Sequence, residues 1–538
     1  LIWLLRDLDL LNVVLRAAML SFEALLLGGV VYLWLVVLPA KAGATVERVC
    51  RRGIVWAAAA LILSEAAAIT ASSAMLMAGS SLRLSDLVTT KFFLAGSAAI
   101  LTALLLGISA RVGGRKAFLA MPPLSLLLLA AAVSTSHAVA RFDHRVLLAV
   151  FTAAHHLGTA AWIGAMPFLL ISLARAPGVE EARRMVRRYS QMALLSASTL
   201  ILAGVGLAWF YVGAWSGLYG TAYGVLLLAK IYLLLVMMTL GAGNWLLVRG
   251  LNTDPEPLLA RLRRFAEAEI GLGFTAVLVA ASLTSQPPAV DVVQGRLTLP
   301  EIYARMHPAV PRLSSPPAVA LTPATSMAVA IRDSEFEPMA ESDANDRAWS
   351  EYNHHWAGLI VLAAGVLALL SRLPALRWAR FWPLTFAGLA VFIVLRADPE
   401  NWPLGPRPFW ASFSAPDVFA HRAAALLILC FAAFECAVQV GRLHAKWATL
   451  LFPAMCVVGA ALLLTHDHVT QDMREELFAE LSHTPIALLG VTAGWARWLE
   501  LRLPKDHADR GRAARIAGYL WPLCLAAAGL ILLNYRET

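Results

Sequence analysis

The chain has 538 residues, 59% of them hydrophobic and 15% charged, with a net charge of +9. That balance excludes a soluble globular domain, and recurring apolar runs of about twenty residues point to a helical protein that crosses a bilayer many times. The positive charge does not mark a nucleic-acid partner. Lys and Arg gather in alternate short loops, the distribution that sets membrane orientation.

In chain order, the first expected helix covers residues 11–38 and carries Met19 and Glu23, one turn apart on one face. The loop after it holds Lys41, Arg48, Arg51 and Arg52, which places it in the cytoplasm and the N-terminus outside. A second helix, 53–78, carries Glu65 near mid-membrane and Met75 and Met77 near its outer end. Helices over 91–110 and 117–136 lead to an outer segment with His137 and His144. The fifth helix, 146–174, contains the stretch FTAAHHLGTAAWIGAMPFLL (151–170), on which the chemistry centres. At 100° per residue His155, Trp162 and Met166 share one stripe, and His156 points about 100° away. Gly158, Ala160, Ala161, Gly164 and Ala165 allow close helix approach. Pro167 removes the backbone bond to Ile163 and predicts a kink near Met166. An imidazole facing lipid is costly, so both histidines are expected to face protein, water or a metal.

Further helices are expected over 189–212, 222–247 (carrying Lys230, Met237 and Met238) and 266–285. Residues 286–353 contain no spanning run and form an outer linker. Six more helices come after it, near 354–371, 378–396, 417–440, 446–465, 482–500 and 515–534, with basic residues again in alternate loops. The expected fold is an all-α, polytopic helical membrane protein of about fourteen spans, eight plus six, with both termini periplasmic. The domains are 1–285, 286–353 and 354–538. Five cysteines form no Cys-x-x-Cys pair, and four lie in apolar runs as small core residues. The opening residue is Leu1, which leaves a cleaved signal peptide open.

On this topology most histidines fall outside or in the outer half of the membrane. Imidazole suits a wet interface, which explains a lone histidine there. It explains His155 and His156 less well, since they lie about 12–15 Å deep at 1.5 Å per residue. Imidazole and thioether together favour soft or borderline ions, Cu(I) above all. Taken singly, each methionine reads first as apolar filler. For Glu23, Glu65, Lys230 and Glu435 a structural pairing, such as Glu65 with Lys230, competes evenly with a transport role. The candidate metal ligands are His155, His156, His137, Met166, Met19 and Glu23. In the second half, His354, His355, His421, His466 and His483 reach the same outer edge; His421, His466 and His483 are the candidates for a metal reception site, with unliganded interfacial histidines and a haem as the alternatives.

The stretches HHLGTAAWIGAMPFLL (155–170), RRYSQMALLSASTLILAGVGLAW (187–209), WSGLYGTAYGVLLLAKIYLL (215–234) and GAGNWLL (241–247) resemble the CopD/PcoD copper-resistance family of bacterial inner-membrane proteins. The resemblance covers about residues 10–285 and implies eight helices, a copper ion and His/Met ligands near the outer face. It carries over to His155, Trp162 and Met166, and less directly to His137 and His156. The six-helix half departs from the simple family pattern. Its segment LSHTPIALLGVTAGWARWLELRLP (481–504) is similar to an extension on longer CopD-like proteins.

The expected function is therefore copper transport or delivery at the bacterial inner membrane, without enzymatic activity. Its partners would be the bilayer, the copper ion and a periplasmic copper-carrying protein. A haem b or quinol-reactive redox subunit is the alternative, and a copper chaperone for oxidase assembly is a third reading.

Overall fold

The computed structural model describes residues 8–79, 82–251, 255–316, 344–398, 401–413, 416–464, 473–503 and 510–536. Among them the chain is helical, and twelve helices are long and apolar enough to cross a membrane. The protein is a polytopic all-α membrane protein. It divides into two compact units, one formed by Asp7–Leu218 and Leu226–Val292, the other by Tyr219–Val225 and Val293–Thr538 with the first six residues.

Among the described residues the first unit contains eight long helices. These are α1 (Leu8–Tyr32), α2 (Ala44–Gly79), α3 (Lys91–Val112), α4 (Arg115–Ser134), α5 (Arg145–Thr159), α6 (Val179–Val212), α7 (Ala222–Gly250) and α8 (Pro255–Leu283). Three of them start about ten residues earlier than hydropathy predicts: α2 near its Glu47–Arg52 segment, α6 at Glu180–Arg188, and α8 at Glu256–Arg264. Their charged first turns are good helix formers, so the helices continue beyond the apolar part.

The break expected near Met166 is present, in a different form. Helix α5 opens into a wide π turn over Ala160–Gly164, and a second helical segment, Met166–Arg175, begins with Pro167 in its first turn. Proline is tolerated there because the first-turn N–H groups have no helical acceptor. The π turn accommodates the mismatch ahead of it.

Against that turn lies α1, at backbone contact. A Cβ on Gly164 would meet the Ala24 carbonyl oxygen at 1.9 Å, and one on Gly28 would meet the Ala160 oxygen at 2.4 Å. Only glycine fits at either point, and the small-residue stretch seen in the sequence is the material of this crossing.

The second unit has α9 (Ala344–Leu370), α10 (Leu384–Arg396), α11 (Pro416–Gln439), α12 (Leu451–Leu463), α13 (Met473–Arg502) and α14 (Arg510–Leu533). Helices α12, which is short, and α13, which carries several charges, occupy the remaining expected spans but are not among the twelve. The core here is aromatic: Trp382, Phe452 and Trp521 have ring centroids 5.1–5.4 Å apart. Below them Glu500 accepts hydrogen bonds from Arg372 (2.8 Å), Arg497 (2.6 Å) and the Trp521 indole (2.8 Å). The short helix Leu299–Met306 is held by Glu301. That carboxylate accepts from the Thr298 hydroxyl and backbone N–H, each at 2.7 Å, and from Arg474. Those donors, the Thr298 hydroxyl first, hold the Glu301 carboxyl down at about 2. Its stabilising contribution is complete above the ordinary carboxyl range and is lost only as pH falls toward 2.

The glycine crossing gives a direct expectation. Gly164→Ala forces backbone against backbone and should destabilise the protein by about 1–3 kcal/mol or more, read as a lower thermal unfolding midpoint in detergent. Gly388→Ala, where an added Cβ meets nothing within 4 Å, serves as the control and should leave the midpoint in place.

Candidate metal-ion pathway

The crossing of α1 and α5 sets the site. His156 Nδ1 lies 3.0 Å from Glu23 Oε1, and Glu23 is only 7% exposed. An ionised carboxylate can only accept, so the imidazole N–H sits on Nδ1 and the lone pair on Nε2. His155, one residue earlier, turns to the other side. Its Nδ1 lies 3.3 Å from the Leu200 carbonyl of α6, and its ring covers Gly204. The same argument puts its lone pair on Nε2. In their neutral forms both rings offer Nε2 as a donor to a metal, with the other nitrogen fixed by an oxygen acceptor, the arrangement that orients metal-ligating histidines.

Two further charged groups shape the field here. Lys230 of α7 lies within Coulombic reach of both histidines, and Glu65 of α2 within reach of Glu23. Among the described residues no ion pair joins Glu65 to Lys230, so the pairing suggested by their depths does not form. Instead the helices gather two acids, a lysine and two imidazoles into one electrostatic neighbourhood.

Past the π turn the donors change. Trp162 lies within the turn, which adds a residue to the helical repeat ahead of Met166. Its indole donates to Glu269 of α8, which also accepts from Asn244 of α7. Tyr189 donates to the Trp162 carbonyl at 2.6 Å, and its ring packs 6.3 Å from Tyr32. The Tyr32 hydroxyl reaches Met185 Sδ at 3.9 Å, and Cys50 Sγ lies 3.3 Å from Ser172 Oγ. Met166 is buried at the head of the segment after the turn.

The other predicted ligands separate. His137 Nε2 lies 2.9 Å from the Thr284 carbonyl at the end of α8. Met19 is partly buried on α1, one turn before Glu23. Met75 accepts a contact from Asn12 at 3.7 Å. In the second unit His421 Nδ1 pairs with Asp398 at 2.8 Å, while His483 packs beside His354. His355 is structural: it accepts from the Arg312 N–H at 2.7 Å and donates to the Tyr535 carbonyl at 2.8 Å. His466 lies outside the described residues. Among the described residues no three His, Cys, Asp or Glu side chains are gathered as a closed metal site. Glu269 is the functional-site residue that sequence reasoning misses, although an acid four residues into an expected apolar span is a visible signal.

Residues 183–283 match the family model for copper resistance protein D, CopD. That region supplies the Leu200 carbonyl and Lys230 on the side of His155, and Tyr189, Met185 and Glu269 beyond it. His155, His156 and Met166 precede the CopD match. The chain is also 29% identical over 163 residues to the copper transport protein CutJ of Bacillus subtilis (strain 168), an overlap of 30% of this chain. It spans only 29% of that relative's length. No solved structure matches.

Proposed function

We propose that the chain carries copper across the bacterial inner membrane through its first unit. The ion would be captured from the periplasmic side by the Nε2 atoms of His155 and His156 and passed toward Met166. The observation that supports this most is the buried 3.0 Å Glu23–His156 pair. A carboxylate held against one imidazole fixes its tautomer and brings negative charge to a place where an arriving cation needs it. The CopD-family region supports the copper assignment, as does the resemblance to a protein named for copper transport.

The donor order follows from helix geometry. Eleven residues separate His155 from Met166, about 16 Å along a helix, so the two cannot share an ion and act in succession. Met19 and Glu23 flank the capture point from α1. His137, at the outer end of α8, stands at the approach. Thioether beyond imidazole suits Cu(I), which soft donors hold and release. The donor outside is a periplasmic copper-carrying protein, and no chemical conversion is assigned to the chain.

Binding and uptake separate these roles. Glu23→Gln should weaken copper binding by about 10–100-fold, the usual cost of losing a metal ligand's oxygen partner. Met166→Leu, nearly volume-conserving, should slow uptake into proteoliposomes more than it weakens binding. Unchanged affinity in Glu23→Gln together with unchanged uptake in His155→Ala/His156→Ala would contradict the pathway.

The orientation has its own test. Ser314, exposed between the two halves of the chain, should face the periplasm. A Ser314→Cys variant is then labelled by an impermeant thiol reagent in intact spheroplasts, above the level of the unsubstituted chain. Labelling only after lysis reverses the topology.

A further inference from the structure

In the second unit the short helix Leu299–Met306, the first part of α13 and the end of α14 leave a cavity of about 180 Å³ between them. Its wall is set by apolar packing. Ile302, Phe478 and Leu481 pack against the buried cluster of Val225, Leu297 and Leu477, which seats the short helix on α13. Leu530 and Ile531 of α14 complete the apolar lining.

Among the described residues that line it, Arg305 and Arg536 are cations and none is an acid. Both guanidiniums are held by neutral acceptors. Arg305 donates to the Arg536 carbonyl and lies 5.0 Å from the centre of the Phe478 ring. Arg536 donates to the Ala304 carbonyl at 3.1 Å and to the His307 carbonyl at 2.8 Å. A carbonyl oxygen fixes a guanidinium without cancelling its charge. The neighbouring acid, Glu301, is bound by Arg474 and the Thr298 hydroxyl. Positive charge thus stands beside apolar surface, and arginine is well suited to phosphate oxygens.

Depth and continuity identify the ligand. The apolar span of α14 ends at Leu533, three residues before Arg536, so this charge stands at the membrane–water boundary, where lipid phosphates lie. Along α14 from the cavity, Leu530, Leu523 and Ile516 are 51%, 51% and 60% exposed. Steps of seven residues keep them on one face of the helix. They form an uncovered apolar stripe about 21 Å long, enough to follow an acyl chain through the roughly 15 Å of hydrocarbon in one leaflet. The cavity itself takes only a fragment, since a void of about 150 Å³ holds one benzene. A zwitterionic headgroup would bring an ammonium that no acid in the lining meets. We propose that Arg305 and Arg536 bind the headgroup phosphate of an anionic phospholipid, with an acyl chain along the Leu530–Leu523–Ile516 face of α14.

The test uses the full chain in detergent, stripped of lipid and titrated with phosphatidylglycerol or with phosphatidylcholine of the same chains, bound lipid being counted by native mass spectrometry. Phosphatidylglycerol should bind more tightly. Arg305→Gln should weaken it about fivefold, the usual contribution of one arginine near a lipid surface, and leave phosphatidylcholine unchanged. Met306→Glu removes none of the arginine hydrogen bonds and places an acid at an exposed position of the lining. It should weaken phosphatidylglycerol by a similar factor, and it decides the matter if the glutamine variant does not fold. Arg442→Gln removes the same charge from an exposed position outside the cavity and should change neither lipid. Parent-like phosphatidylglycerol binding in Met306→Glu, or equal affinity for the two lipids, overturns the proposal. Displacement of the lipid by inorganic phosphate or glycerol 3-phosphate at matched concentration marks a site for free anions and overturns it as well.

Discussion

Everything at the candidate copper pathway depends on the backbone contact between Gly28 and the π turn that ends at Gly164. Glu23 lies five residues before its glycine and His156 eight before its own, about 7 and 12 Å along the two axes. The groups meet because both helices run the same way into the crossing and approach too closely for any side chain to intervene. In a membrane, where apolar burial does not drive helices together, such packing and the polar contacts it enforces supply the association energy. A methyl group at either glycine would part the helices and strand a buried carboxylate and a buried imidazole at once.

Charges in this setting are expensive unless they meet a partner. Glu23, Glu65, Lys230 and the two histidines occur on four different helices, and their gathering is the strongest sign that the interior serves an ion. Beyond the π turn the polar groups change character, to an indole at Glu269, two phenols, a thioether at Tyr32 and a thiol at Ser172. The change from nitrogen and oxygen to sulfur along one path matches the preferences of a soft cation entering from water.

Much of this was legible in the sequence. The spans, the small-residue stretch, the break at Pro167 and the paired histidines with Glu23 nearby all follow from hydropathy, residue size and helical period. Hydropathy fails at the charged ends of α2, α6 and α8, because a helix does not stop where its apolar part does. An ideal period also cannot foresee the π turn that lies between His155 and Met166. Partner choice is the least readable layer: the charge of Lys230 acts on the histidines and makes no ion pair with Glu65, and His355 spends both nitrogens on backbone groups. The second-unit histidines look equivalent as outer-edge residues, and only its hydrogen-bond partners show His355 to be structural.

The central claim is that the α1–α5 crossing creates a copper-capture point at His156. The most direct measurement is an anomalous difference map at the copper edge, from crystals of the full chain grown with copper. The account predicts a peak within about 2.0–2.5 Å of the His156 Nε2 atom, on the side of the ring away from Glu23. Copper bound elsewhere in the first unit, with His156 still joined to Glu23 and no density at its Nε2, would contradict it.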